Sequence, residues 1–102
     1  MVKLWVDDTR EAPPGWVRSY NSKEAIDFLK GFWEEVEYIS LDHDLGGDDT
    51  GMKVLIYIEY MVAIEQYVAP TINVHSANPV GKERMMQAVQ SIYAFDRQNQ
   101  TG

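Results

Sequence analysis

The chain contains no cysteine, which excludes disulfides and thiolate chemistry. No apolar run approaches the ~18 residues of a membrane span. Asp7 and Asp8 follow Met1 too closely for a secretory leader, so a cytoplasmic location away from membranes is expected. Cations are scarce: 9 Lys and Arg stand against 16 Asp and Glu, a formal charge of −7. That balance argues against gripping duplex nucleic acid by its phosphates. A small anionic ligand would need a divalent cation or aimed donors to approach an acidic crevice. At 102 residues the chain has room for one core. A single domain over residues 1–96 is expected, with a polar tail at 97–102.

What is present is a repeated pattern of apolar runs that stop at polar groups. Tyr38-Ile39-Ser40-Leu41 suits a buried strand and runs into Asp42-His43-Asp44, after which Gly46 and Gly47 release the chain. Lys3-Leu4-Trp5-Val6 runs into Asp7-Asp8, and Thr71-Ile72-Asn73-Val74 into His75-Ser76-Ala77-Asn78. If these strands are parallel, their carboxyl ends open on the crevice where open α/β sheets bind ligands. Asp48, Asp49 and Gly51 read as ordinary turn residues.

Between them, Pro13-Pro14-Gly15 bars a helix from the first connection, and Trp16 to Tyr20 reads as a short edge strand. Asn21 or Ser22 caps a helix, with Glu24 placed as in a capping box and Ala25, Ile26, Leu29, Phe32 and Trp33 on one face. A second helix is expected from Gly51 or Met52 to Gln66. A third begins at Pro79 behind Asn78, with Met85, Ala88, Val89 and Ile92 inward and a frayed end from Asp96. Helical crossovers imply a parallel sheet, expected here as a three-layer α/β sandwich. The fourth strand, lacking a fifth neighbour, reads as an open edge compatible with a monomer or a homodimer.

With these residues laid out, the chain resembles the receiver domains of two-component signalling. Asp7-Asp8 is similar to their metal-binding pair, Asp42 to their phosphoacceptor, and Ser76-Ala77 to their Ser/Thr-Ala pair. It departs from them in lacking the fifth strand and the lysine that follows it. The set Leu4-Trp5-Val6-Asp7-Asp8-Thr9-Arg10, Pro14-Gly15-Trp16, Leu41-Asp42-His43-Asp44-Leu45-Gly46 and Val74-His75-Ser76-Ala77-Asn78-Pro79 resembles an offshoot, the cyclic-phosphate-processing receiver-like domains of bacteria and phage. The resemblance implies a receiver-like, flavodoxin-like sheet of four strands in the order 2-1-3-4. It also implies action on a cyclic phosphate.

Asp7, Asp8, Asp42 and Asp44 are the candidate ligands of Mg²⁺ or Mn²⁺, hard cations that suit carboxylates. Crowding is expected to leave at least one of these carboxyls titrating high when no cation is bound. His43, His75 and Asp42 are the candidate catalytic groups, because opening a cyclic phosphodiester needs one proton removed and another delivered. His43 directly follows Asp42, so strand alternation would turn it aside and leave Asp42 and Asp44 together. Ser76, Asn78, Arg10 and Lys82 are candidates for the phosphate itself, although Asn78 also fits a helix cap and the two cations also fit a solvated surface. Trp5, Trp16 and Trp33 read as packing residues, with Trp16 alone placed to border the crevice. Three classes remain open: a metal-assisted phosphoesterase on a cyclic nucleotide or a nucleotide-terminal cyclic phosphate, a phospho-accepting signalling domain, and a binding module for a small phosphorylated ligand.

Overall fold

Alternation along the strands decides which side of the sheet is buried. The computed structural model describes residues 1–101. It contains β1 (Val2–Val6), β2 (Val17–Ser19), α1 (Ser22–Phe32), β3 (Val36–Leu41), α2 (Met52–Ala63), β4 (Thr71–Val74) and α3 (Pro79–Thr101), with a 3₁₀ turn at Trp33–Glu35. All pairings are parallel, and the order is β2-β1-β3-β4. In register, Leu4, Ile39 and Ile72 form one row and Val6, Leu41 and Val74 the next, every one of them buried. Ala25 and Leu29 of α1, Val54, Leu55, Ile58 and Val62 of α2, and Met85, Val89 and Ile92 of α3 join them in one core.

The sandwich has two layers where three were expected, because all the helices lie on that one side. Lys3, Trp5, Tyr38, Thr71 and Asn73 occupy the alternate positions, outside the core, with Lys3, Thr71 and Asn73 exposed. Right-handed crossovers explain this. The β2 to β3 and β3 to β4 connections step across the sheet in the same direction, so α1 and α2 fall on the same face. The β1 to β2 connection steps the other way, and a helix there would cover the second face. Its prolines forbid one.

Asn21 Oδ1 accepts the Glu24 N–H at 2.8 Å as expected, but the Glu24 carboxylate reaches back to Tyr20 N instead of the cap residue. The second helix ends at Ala63, short of Gln66, which takes a left-handed φ of 61° as the chain turns toward β4. The third helix overruns the expected frayed tail, because its polar residues find partners on that connection and on α2: Asp96 accepts Ala69 N at 3.1 Å, and Asn99 Nδ2 donates to Val62 O at 2.7 Å. The edge of β4 is not wholly open either. The Tyr93 hydroxyl accepts the Ile72 N–H at 2.8 Å and donates to the Ile72 carbonyl at 3.4 Å, taking two of the groups that a further strand would use. Among the described residues, no helix is long and apolar enough to cross a membrane.

Candidate metal and acid-base site

Sheet pairing continues one residue past each strand end, and this positions the polar groups. Asp7 N donates to Ser19 O at 3.1 Å, Asp42 N to Val6 O at 3.0 Å and His75 N to Leu41 O at 2.9 Å. Asp7, Asp8 and Asp42 thereby each bring an oxygen within 4.8 Å of the others. A separate cleft of about 600 Å³ lies elsewhere, lined by Trp33, Tyr67 and Val68 near the amino ends of β3 and β4.

Asp7 is completely buried. Its Oδ1 accepts the N–H groups of Thr9 at 2.9 Å and Arg10 at 2.8 Å, and its Oδ2 lies 3.0 Å from His75 Nε2. Burial acts to raise this carboxyl, but the Arg10 and Thr9 N–H groups and then the His75 ring outweigh it, so Asp7 sits below the ordinary carboxylate value. The crowding expected to make a carboxyl titrate high therefore does not do so at Asp7.

His75 has both ring nitrogens occupied. Nδ1 lies 2.7 Å from Ser40 Oγ, which itself accepts Asn73 Nδ2 at 3.1 Å, and the Trp5 ring stacks on the imidazole at 3.8 Å and 5°. A carboxylate on Nε2 puts the hydrogen there, so Nδ1 accepts the Ser40 hydroxyl and the chain of donors runs from Asn73 through Ser40 and His75 to Asp7. Burial, partly opposed by Asp7, holds the imidazole below its ordinary pKa and favours the neutral ring that this chain requires. His75 thus braces Asp7. Ser40 was not among the expected site residues, and its only signal is a hydroxyl inside an apolar run.

His43 is arranged differently. Its Nδ1 lies 3.0 Å from Asp44 Oδ1, and its ring lies against the first turn of α3, where a Cβ at Gly81 would come within 2.5 Å of Cγ. Only glycine fits there. Asp44, expected as a fourth ligand, is outside the group of three: it is 66% exposed and turns to His43 and, at 3.4 Å, to Asn78 Nδ2. The His43 ring is the main cause of its lowered pKa. The strand has ended at Leu41, so alternation no longer orders Asp42 and Asp44. Asn78 caps α3 by accepting Gly81 N at 3.0 Å, and Ser76 Oγ accepts Asn78 N at 3.1 Å. Arg10 and Lys82 are exposed.

The loop after Asp44 is also fixed. Asp49 accepts both the N–H and the hydroxyl of Ser22, tying the loop to the start of α1. Gly51 N donates to His43 O at 2.8 Å, and a Cβ on Gly51 would collide with the Asp42 carbonyl at 2.1 Å. Neither residue was expected to matter, since Asp and Gly are common in any turn.

The donor set at Asp7, Asp8 and Asp42 is all oxygen, which fits Mg²⁺ or Mn²⁺ in preference to softer metals. Asp7 has its lone pairs largely engaged, whereas among the described residues Asp42 is bonded only through Oδ1, to His43 N at 2.8 Å. A family model described as cyclic-phosphate processing receiver domain matches residues 2–91. No curated protein and no solved structure matches the chain.

Proposed function

Because the chain belongs to the cyclic-phosphate processing receiver domain family, we propose that it is a phosphoesterase that opens a cyclic phosphate with the help of a divalent cation held by Asp7, Asp8 and Asp42. The observation that carries this reading is the convergence of those three carboxylates at adjacent strand ends. A bound Mg²⁺ or Mn²⁺ supplies charge neutralisation to the phosphoryl oxygens. A cyclic phosphodiester carries one negative charge and gathers more as it is attacked, so such a site favours the transition state over the substrate.

In hydrolysis, the oxygen of water forms a new bond to phosphorus as one ring P–O bond breaks. Water gives up a proton, and the departing alkoxide takes one. His43 is the residue for this exchange. Asp44 on Nδ1 holds the hydrogen there and leaves the Nε2 lone pair to act as a base, whereas both nitrogens of His75 are engaged inside the protein. Ser76, Arg10 and Lys82 supply donors to the phosphate.

The test is incubation with Mg²⁺ or Mn²⁺ and a panel of 2′,3′- and 3′,5′-cyclic nucleotides, cyclic dinucleotides and a linear phosphomonoester, with products followed by mass spectrometry. Turnover of a cyclic compound that vanishes in Asp42→Ala and falls ~100- to 10,000-fold in His43→Ala supports the enzyme. Binding without product makes the domain a binding module, and a stable acyl phosphate on Asp42 makes it a phospho-acceptor.

A further inference from the structure

We propose that the helix-free face of the sheet is a nucleobase platform, so that the ligand is a single nucleotide whose base lies on the aromatic rings while its cyclic phosphate lies at the acids. The phosphate half of this proposal rests on the function proposed above. The base half rests on the sheet alone.

The composition of the face points to its occupant. The rings of Trp5, Trp16 and Tyr38 form a continuous group, with Trp16 edge-on to Trp5 at 5.9 Å and to Tyr38 at 5.5 Å. Asn73 is exposed beside them. The register positions of β1, β3 and β4 on this side carry no aliphatic side chain. A missing helix or a second protein copy would need aliphatic ridges of the kind on the opposite face, where Leu4, Val6, Ile39 and Leu41 receive the helices. Flat rings bordered by the Asn73 amide suit a flat ring with a polar edge, which describes a nucleobase.

Charge limits the size of that ligand. Lys3 lies 5.9 Å from the Trp16 ring, and Arg18 Nε and Nη2 donate to the Asp7 carbonyl at 3.3 and 3.2 Å, so two cations flank the aromatic group. Two are too few to hold a run of phosphates. A strand of RNA would face a chain with a formal charge of −7.

The face also joins the acid site without a gap. His75 stacks on Trp5 and bonds Asp7, while Arg18 lies on the face and bonds the Asp7 backbone. A ligand anchored at the acids therefore meets the rings next.

The three indole N–H groups provide the readout. Trp5 and Trp16 are on the platform, and Trp33 donates to Val68 O near the opposite end of the strands, as an internal control. The ¹⁵N-labelled full chain is titrated, with Mg²⁺ present, with adenosine, 2′,3′-cyclic AMP and ethylene phosphate, a cyclic phosphodiester without a base. Adenosine and cyclic AMP should shift the Trp5 and Trp16 indole signals and leave Trp33 in place, and cyclic AMP should bind more tightly than ethylene phosphate. Trp16→Ala should weaken adenosine binding roughly 5- to 150-fold, the range expected for one lost stacking partner. Tyr38→Ala should act in the same direction and serves if the tryptophan variant does not fold. Adenosine that moves no indole, or moves Trp33 alone, overturns the platform, as does unchanged adenosine affinity in both variants. Equal affinity and equal turnover for ethylene phosphate and cyclic AMP sinks the platform and leaves the phosphoesterase standing. Adenosine bound at Trp5 and Trp16 with no turnover of any cyclic phosphate does the reverse.

Discussion

Leu4 and Val6 of β1 face the helices, while Lys3 and Trp5, interleaved with them, face away. The same division runs through β3 and β4, where Ile39, Leu41, Ile72 and Val74 are buried and Tyr38, Thr71 and Asn73 are not. One face gains its stability from area removed from water and is indifferent to direction. The other is built from directed contacts, such as the donor chain from Asn73 to Asp7, that fix the orientation of a few polar groups. Because side chains alternate with a period of two, each strand serves both purposes at once, and a slip of one residue would exchange them.

Neighbouring substitutions should separate the two roles most widely. Ile39→Ala removes a fully buried side chain and should destabilise the fold by ~2–5 kcal/mol in denaturant unfolding, whereas Tyr38→Ala, next to it, should cost only ~1 kcal/mol. Equal losses would mean that the uncovered face also acts as core.

Ser40→Ala tests whether directed contacts hold the second face together. Alanine is tolerated beside an apolar core, but here it leaves the His75 Nδ1 lone pair without a donor, at an expected ~1–3 kcal/mol. Unchanged stability would show the donor chain to be idle.

A pH-dependent part of the stability should lie on the helical side. Asp49 is desolvated, which alone would raise its pKa, but the two groups of Ser22 and then Lys53 bring it below the ordinary value. A carboxyl whose folded pKa is depressed stabilises the fold above its unfolded pKa of ~3.9 and loses that contribution as pH falls through the lower, folded value. Unfolding measured from pH 7 down to pH 2 should show this loss, and Asp49→Asn should flatten it by ~1–2 kcal/mol. An identical slope in the variant would assign acid sensitivity elsewhere.

The smallest effect on stability is expected from Tyr93→Phe, ~0.5–1.5 kcal/mol. It should be accompanied by self-association that increases with concentration in analytical ultracentrifugation, since it frees the Ile72 backbone at the sheet edge. A variant that sediments as the parent does would show that the helix alone protects β4.

Strand alternation and the Asn21 and Asn78 caps were legible because each depends on neighbours in sequence, and the convergence of Asp7, Asp8 and Asp42 because each acid directly follows an apolar run. The number of layers was not read correctly, although Pro13 and Pro14 carry the necessary information once it is combined with crossover handedness. Both ring nitrogens of His75 are engaged for a reason that local sequence does not carry. A histidine after a strand looks available for catalysis, and the serine that occupies its second nitrogen lies 35 residues away. The helical end of α3 likewise depends on Val62 and Ala69, 37 and 27 residues from their partners. Asp44 stands apart from the three acids because the period of two does not extend past the last residue of β3.

The phenol on the edge of β4 also has a place in time. Chains are made from the amino end at about 5–20 residues per second, and Tyr93 comes 21 residues after Ile72. A nascent chain with four strands complete therefore waits about 1–4 s before its stopper has even been synthesised. The danger of pairing with a neighbouring chain is greatest during manufacture, and it falls when a single oxygen atom arrives.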